Sequence, residues 1–123
     1  MAVIGRSLVI GKPVSMMLQA RNATVTMCHT ATVDLPGICR NADLLVVAAG
    51  RAGVVDSRFA APGQIIVDVG IHVNAEGKLC GDVDYAAIEP KASVITPVPG
   101  GVGPMTITCL MENTIECFLR KMQ

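Results

Sequence analysis

The sequence predicts a single α/β domain, a mostly parallel sheet of about five strands with flanking helices. Three observations carry that expectation. Short β-branched runs alternate with helical stretches along all 123 residues. Runs such as Leu44–Ala49 are apolar throughout rather than at every second position, as in strands buried on both faces of a parallel sheet. Glycine closes the runs, at Gly5, Gly50 and Gly70.

Each element follows in order. Ala2–Ile4 reads as the first strand and opens with no turn before it, so the expectation is a chain cut away from an N-terminal partner. Gly5 to Pro13 is a loop, and Pro13 suits the first turn of a helix through about Arg21. Ala23–Cys28 is the second strand. A short helix follows around Leu35–Asn41, with Asp34 suited to its cap. Leu44–Ala49 is the third strand, and Gln64–Val69, opened by Pro62-Gly63, is the fourth. Asn74-Ala75-Glu76-Gly77 marks a hairpin or loop inside Ile71–Asp82. A short helix covers Tyr85–Glu89 and Ser93–Val98 is the fifth strand. The last helix runs from about Met105 to Lys121, with Ile107, Met111, Ile115, Phe118 and Met122 at helical spacing. The sum is one doubly wound, Rossmann-like domain over residues 1–123.

Composition narrows the function. Ten basic and ten acidic side chains cancel without a run of like charge, which lacks the positive footprint of a nucleic-acid or membrane-surface binder. Apolar residues make up 51% of the chain but fall in short blocks. None nears the roughly 18 consecutive residues of a membrane span. No leader pattern precedes Ala2-Val3-Ile4-Gly5. Cys28, Cys39, Cys80, Cys109 and Cys117 form no C-x-x-C pair and sit in apolar stretches. Mostly packed, reduced thiols in a cytoplasmic protein are expected, and no metal site.

Ligands of such sheets bind at the carboxyl ends of the strands. Gly5-Arg6-Ser7, with Gly11 four further on, can close backbone amides on a phosphate, although Ser7 stands where G-x-G-x-x-G has a second glycine. Judged alone, the loop serves equally as a tight strand–helix turn. After strand two, Cys28-His29-Thr30 lacks the acid that holds the ribose 2′-hydroxyl of NAD. A hydroxyl there, with Arg6 across the loop, suits the 2′-phosphate of NADP. His29 reads as a half-buried, hydrogen-bonded histidine rather than a catalyst. The run Thr96 to Thr106 holds three prolines and three glycines, Pro97, Pro99, Pro104, Gly100, Gly101 and Gly103, with Val98 and Val102 between. So constrained a loop fits a ligand better than a mere connection, and Gly101 is expected to need a positive φ.

Val3-Ile4-Gly5-Arg6-Ser7, Val67-Asp68-Val69-Gly70-Ile71, Gly81-Asp82-Val83-Asp84 and Ile95 through Thr106 together resemble the methylenetetrahydrofolate dehydrogenase/cyclohydrolase family, in order and spacing across the whole chain. The resemblance implies that Gly5, Arg6 and Ser7 hold cofactor phosphates and that Thr30 stands where the family often has Ser beside the 2′-phosphate. It implies Ile71 on the nicotinamide side. Pro99, Gly100, Gly101, Val102, Gly103, Pro104, Met105, Thr106 and Ile107 would border the folate. His72 departs from the family's usual Asn. The implied activity is NADP-dependent oxidation of 5,10-methylenetetrahydrofolate, with hydrolysis of the methenyl product, and the implied assembly a homodimer. The family's catalytic lysine, four residues after a tyrosine, lies on an N-terminal domain. Here the only tyrosine is Tyr85 and Glu89 stands four on, so no catalytic residue is assigned and the chain alone is expected to be inactive. Asp68 and Asp84 read as strand-end and helix-cap carboxylates. A nucleotide-binding or dimerisation module without activity is the alternative from another class.

Overall fold

A computed structural model describes residues 1–122. The strands are β1 (Ala2–Ile4), β2 (Thr26–Cys28), β3 (Leu44–Val47), β4 (Ile65–Asp68), β5 (His72–Val73), β6 (Leu79–Cys80) and β7 (Val94–Ile95). The helices are α1 (Gly11–Ala20), α2 (Leu35–Arg40), α3 (Tyr85–Ile88) and α4 (Val102–Lys121). Every predicted strand and helix is present, and β1 has its predicted bounds, although the other sheet strands are shorter than their apolar runs.

Five strands form a parallel sheet in the order β2-β1-β3-β4-β7. Interior β1 pairs Val3 with Met27 on one side and with Val46 on the other. The chain therefore leaves β1 in one direction through α1 and returns past it to build β3, β4 and β7 in the other. Right-handed crossovers in opposite directions put the connections on opposite faces, which is the doubly wound arrangement. It also opens a crevice between the carboxyl ends of β1 and β3, where the strand order reverses.

Val3, Leu45, Val47, Ile66 and Ile88 are among the largest fully buried side chains. The edges β2 and β7 are less covered. Buried Gln64 ends the loop before β4: its Nε2 donates to the Cys39 carbonyl (2.7 Å) and the Ala42 carbonyl, while its Oε1 accepts from Ala61 N–H (2.7 Å). Asp34 caps α2 by accepting from Gly37 N–H, and Asp84 caps α3 by accepting from Ala87 N–H. The hairpin at Asn74 to Gly77 joins antiparallel β5 and β6.

Helix α4 corrects two expectations. It begins at Val102, three residues before the predicted start, because Gly103 and Pro104 fit a first turn. None of its residues is buried, and the stripe containing Ile107, Met111, Ile115 and Phe118 faces solvent. Cys109 and Cys117 are exposed with it, so only Cys28 and Cys39 are the buried thiols expected for the set, with Cys80 half-buried. Among the described residues no helix is long and apolar enough to cross a membrane.

Candidate functional site

The first cleft, about 240 Å³, lies over the carboxyl ends of β1, β2 and β3. Gly5, Arg6, Ser7 and Thr30 all line it, so four residues singled out in two separate loops share one wall. Gly5 permits this approach. Its φ is +123°, and a Cβ there would stand 2.1 Å from the Ala48 carbonyl oxygen. Gly11 is just as constrained. A Cβ on it would meet the Gly5 carbonyl oxygen at 2.2 Å, so the late glycine is the contact by which α1 packs onto its own loop.

Ser7 has a local role. Its hydroxyl accepts from Ile10 N–H (3.1 Å) and Gly11 N–H (3.4 Å), filling the N-terminus of α1 as a capping side chain does. The amides of Arg6 and Ser7 have no protein acceptor among the described residues, so they can face a ligand. Thr30 and Arg6 are both exposed. His29 is half-buried, and its Nδ1 accepts from Ala31 N–H (3.2 Å), which leaves Nε2 to carry the proton of the neutral ring. No Asp or Glu lines this cleft.

The second cleft, about 600 Å³, is built from the proline–glycine loop and Ile71. Of the nine residues proposed beside the folate, only Met105 does not line it. The walls are almost wholly apolar. The expectation for Gly101 is corrected: its φ is −94°, and the positive φ belongs to Gly100 at +95°. What excludes a side chain at Gly101 is space, since a Cβ would lie 2.4 Å from the Pro97 carbonyl oxygen. The Val98–Pro99 peptide is cis. Ile10 lines this second cleft while Ser7 lines the first, so the loop after β1 separates the two.

Two buried carboxylates join the segments around the clefts, and Asp68 itself lines the second. Asp68, at the end of β4, accepts from Gly70, Asp82 and Val83 N–H at 2.9–3.1 Å. Burial pushes its carboxyl up from the ordinary range, against the pull of those three amides. Fully buried Asp82 accepts from Gly50 N–H (2.8 Å) and Arg51 N–H (2.9 Å), and its Oδ1 lies 2.6 Å from His72 Nε2. His72 is thereby accommodated in place of the family's Asn by an acidic partner. Asp68 and Asp84 have the structural roles assigned to them. Sequence reasoning missed Arg51 and Asp82. Arg51 follows a strand end as Arg6 does, so the same rule could have found it. Nothing local marks Asp82, ten residues from its histidine partner.

Comparison with known proteins agrees with this arrangement. The family model described as tetrahydrofolate dehydrogenase/cyclohydrolase, NAD(P)-binding domain, matches residues 1–122. A bifunctional protein FolD from Agathobacter rectalis is 54% identical over 118 residues, 96% of this chain and 42% of that protein. One from Streptococcus pneumoniae is 57% identical over 118 residues, 96% of this chain and 41% of that protein. The chain thus spans about two fifths of the length of these relatives. The Campylobacter jejuni bifunctional FolD structure superposes with a TM-score of 0.91 at 49% identity, over 94% of this chain and 41% of that one. The Trypanosoma brucei N5,N10-methylenetetrahydrofolate dehydrogenase-cyclohydrolase, complexed with NADP and an inhibitor, does so at 0.90 and 38% identity, over 99% of this chain and 44% of that one.

Proposed function

The chain belongs to the tetrahydrofolate dehydrogenase/cyclohydrolase family as its NAD(P)-binding domain, and from that premise we propose that it holds NADP for oxidation of 5,10-methylenetetrahydrofolate to the methenyl form. Hydrolysis of the methenyl product to 10-formyltetrahydrofolate belongs to the same reading. The observation that carries it is the first cleft: uncommitted amides at Arg6 and Ser7, a guanidinium, a hydroxyl at Thr30 and no carboxylate. NADP fits those groups, because a lining acid would repel the 2′-phosphate and none is there.

When bound, the nicotinamide supplies the hydride acceptor. The chain's own residues position it. Gly5 brings the backbone close, Arg6 and Thr30 hold the 2′-phosphate, and Ile71 borders the ring. The loop from Pro99 to Ile107 borders the folate, and its apolar walls hold the reacting carbon against the nicotinamide. Asp68 and Asp84 are engaged by backbone amides, so no group here is assigned a proton transfer and the chain alone should not turn over substrate. The exposed apolar side of α4 supports association into a homodimer, and five unjoined cysteines suit a cytoplasmic location. A strictly monomeric species in light scattering at high concentration would overturn the homodimer.

Titration of NADP and NAD tests the cofactor reading. NADP should bind about ten-fold more tightly, and Arg6→Ala should remove most of that difference. Equal affinities in the unsubstituted chain would refute it.

A further inference from the structure

We propose that Arg51 is a second cation for the cofactor's 2′-phosphate, so that discrimination between NADP and NAD is divided between two arginines on neighbouring strand ends. The proposal rests on the cofactor reading above and deepens it.

Arg51 follows β3 as Arg6 follows β1, and the two strands are hydrogen-bonded neighbours. Both residues line the same cleft, together with Thr30 after β2. Three other arginines are already engaged: Arg40 donates to the Arg58 carbonyl, Arg58 pairs with Asp56, and Arg120 pairs with Glu116. The guanidiniums of Arg6 and Arg51 have no protein acceptor among the described residues. Arg21 shares that condition, but it lies at the far end of α1 and does not line the cleft. Two uncommitted guanidiniums with no lining carboxylate match a group carrying close to two negative charges, as a phosphate monoester does near neutral pH.

The backbone beneath Arg51 is held as a binding residue's should be. Both oxygens of Asp82 are used, one on Gly50 N–H and the other on Arg51 N–H, with His72 Nε2 against the second. Gly53 N–H donates to the Gly81 carbonyl and Val55 N–H to the Asp82 carbonyl, which anchors the rest of the turn. The side chain is exposed. A fixed base reduces the freedom lost when the guanidinium meets a phosphate. Asp82 and His72 are therefore positioning residues for Arg51.

The test is titration of the chain with NADP, NAD and adenosine 2′,5′-bisphosphate, at low and high salt. Arg51→Ala should weaken NADP and the bisphosphate about ten-fold, the lower end for a charged hydrogen bond at a solvated rim, and weaken NAD less than about two-fold. Arg51→Lys should recover part of the loss, and the salt dependence of NADP binding should flatten in Arg51→Ala. Because the side chain is exposed, thermal melting should be unchanged. An unaltered NADP affinity overturns the proposal, as does an equal loss for NAD, which would put Arg51 on a phosphate common to both cofactors. If the unsubstituted chain prefers NADP through Arg6 alone, only Arg51's role fails. If it binds the two cofactors equally, the cofactor reading fails as well.

Discussion

Replacing Gly11 by alanine tests whether the late glycine, and not a G-x-G-x-x-G pattern, shapes the phosphate loop. A Cβ at this position would lie 2.2 Å from the Gly5 carbonyl oxygen, 2.6 Å from its carbon and 2.9 Å from Arg6 N. All three are backbone atoms, so no side chain can rotate aside. An ordinary carbon–oxygen contact needs roughly 1 Å more, and the loop must move off α1 by that amount. Overpacking of this kind costs about 1–3 kcal/mol, and a forced backbone shift belongs near the top of that range. Alanine is the better helix former by up to about 1 kcal/mol, but less at the first helical residue, where Gly11 stands. The net loss is about 1–2 kcal/mol, which lowers the melting midpoint by about 4–8 °C in a domain of this size. Because the atoms displaced are those of Gly5 and Arg6, NADP affinity should fall about ten-fold. Thermal melting and cofactor titration of the same preparation read both quantities. Ser7→Ala serves as comparison, since it removes only the acceptor for Ile10 and Gly11 N–H and should cost about 1 kcal/mol. A Gly11→Ala chain that melts and binds NADP like the unsubstituted one would refute the reasoning.

Other outcomes follow from the same geometry. Gly101→Ala, whose Cβ would lie 2.4 Å from the Pro97 carbonyl oxygen, should reshape the second cleft and abolish binding of a folate analogue while NADP affinity changes less than about two-fold. Asp68→Asn turns an amide donor toward either the Val83 N–H or the pair from Gly70 and Asp82, and should destabilise by about 1–3 kcal/mol in urea melts at neutral pH. Asp68 also has a pH signature. Its carboxyl is raised by burial, so the folded state holds the proton more tightly than the unfolded state. Its contribution to stability must fall as pH rises from the ordinary carboxylate range through the raised value, the reverse of a salt-bridged aspartate, and a difference titration against Asp68→Asn reads that slope. Thiol labelling followed by mass spectrometry should modify Cys109 and Cys117 first and leave Cys28 and Cys39 intact until unfolding. Burial pushes the Cys39 thiol up to about 12 and raises Cys28 too.

Local chemistry made much of this protein legible in its sequence. Apolar runs such as Leu44 to Val47 announced doubly covered strands, Asp34 and Asp84 announced helix starts, and Gly5, Gly50 and Gly70 announced strand ends. Each of these is a property of a few consecutive residues, so periodicity and turn chemistry could reveal it. The missing acid after β2, which favours NADP, could also be read there, because that position follows directly from the strand's end. Tertiary structure decided the rest. The order β2-β1-β3-β4-β7 brings Arg6 and Arg51, 45 residues apart in the chain, to the lining of one cleft. Burial separates Asp82 from an ordinary hairpin aspartate, and its partners Gly50, Arg51 and His72 lie on other segments. The apolar spacing in α4 specified a helix but not a neighbour, since amphipathicity records which side avoids water and not what covers it. Gly100 and Gly101 show the same division. Their presence marked a constrained loop, while which one needs the positive φ and which one the space depends on where the Pro97 carbonyl comes to rest.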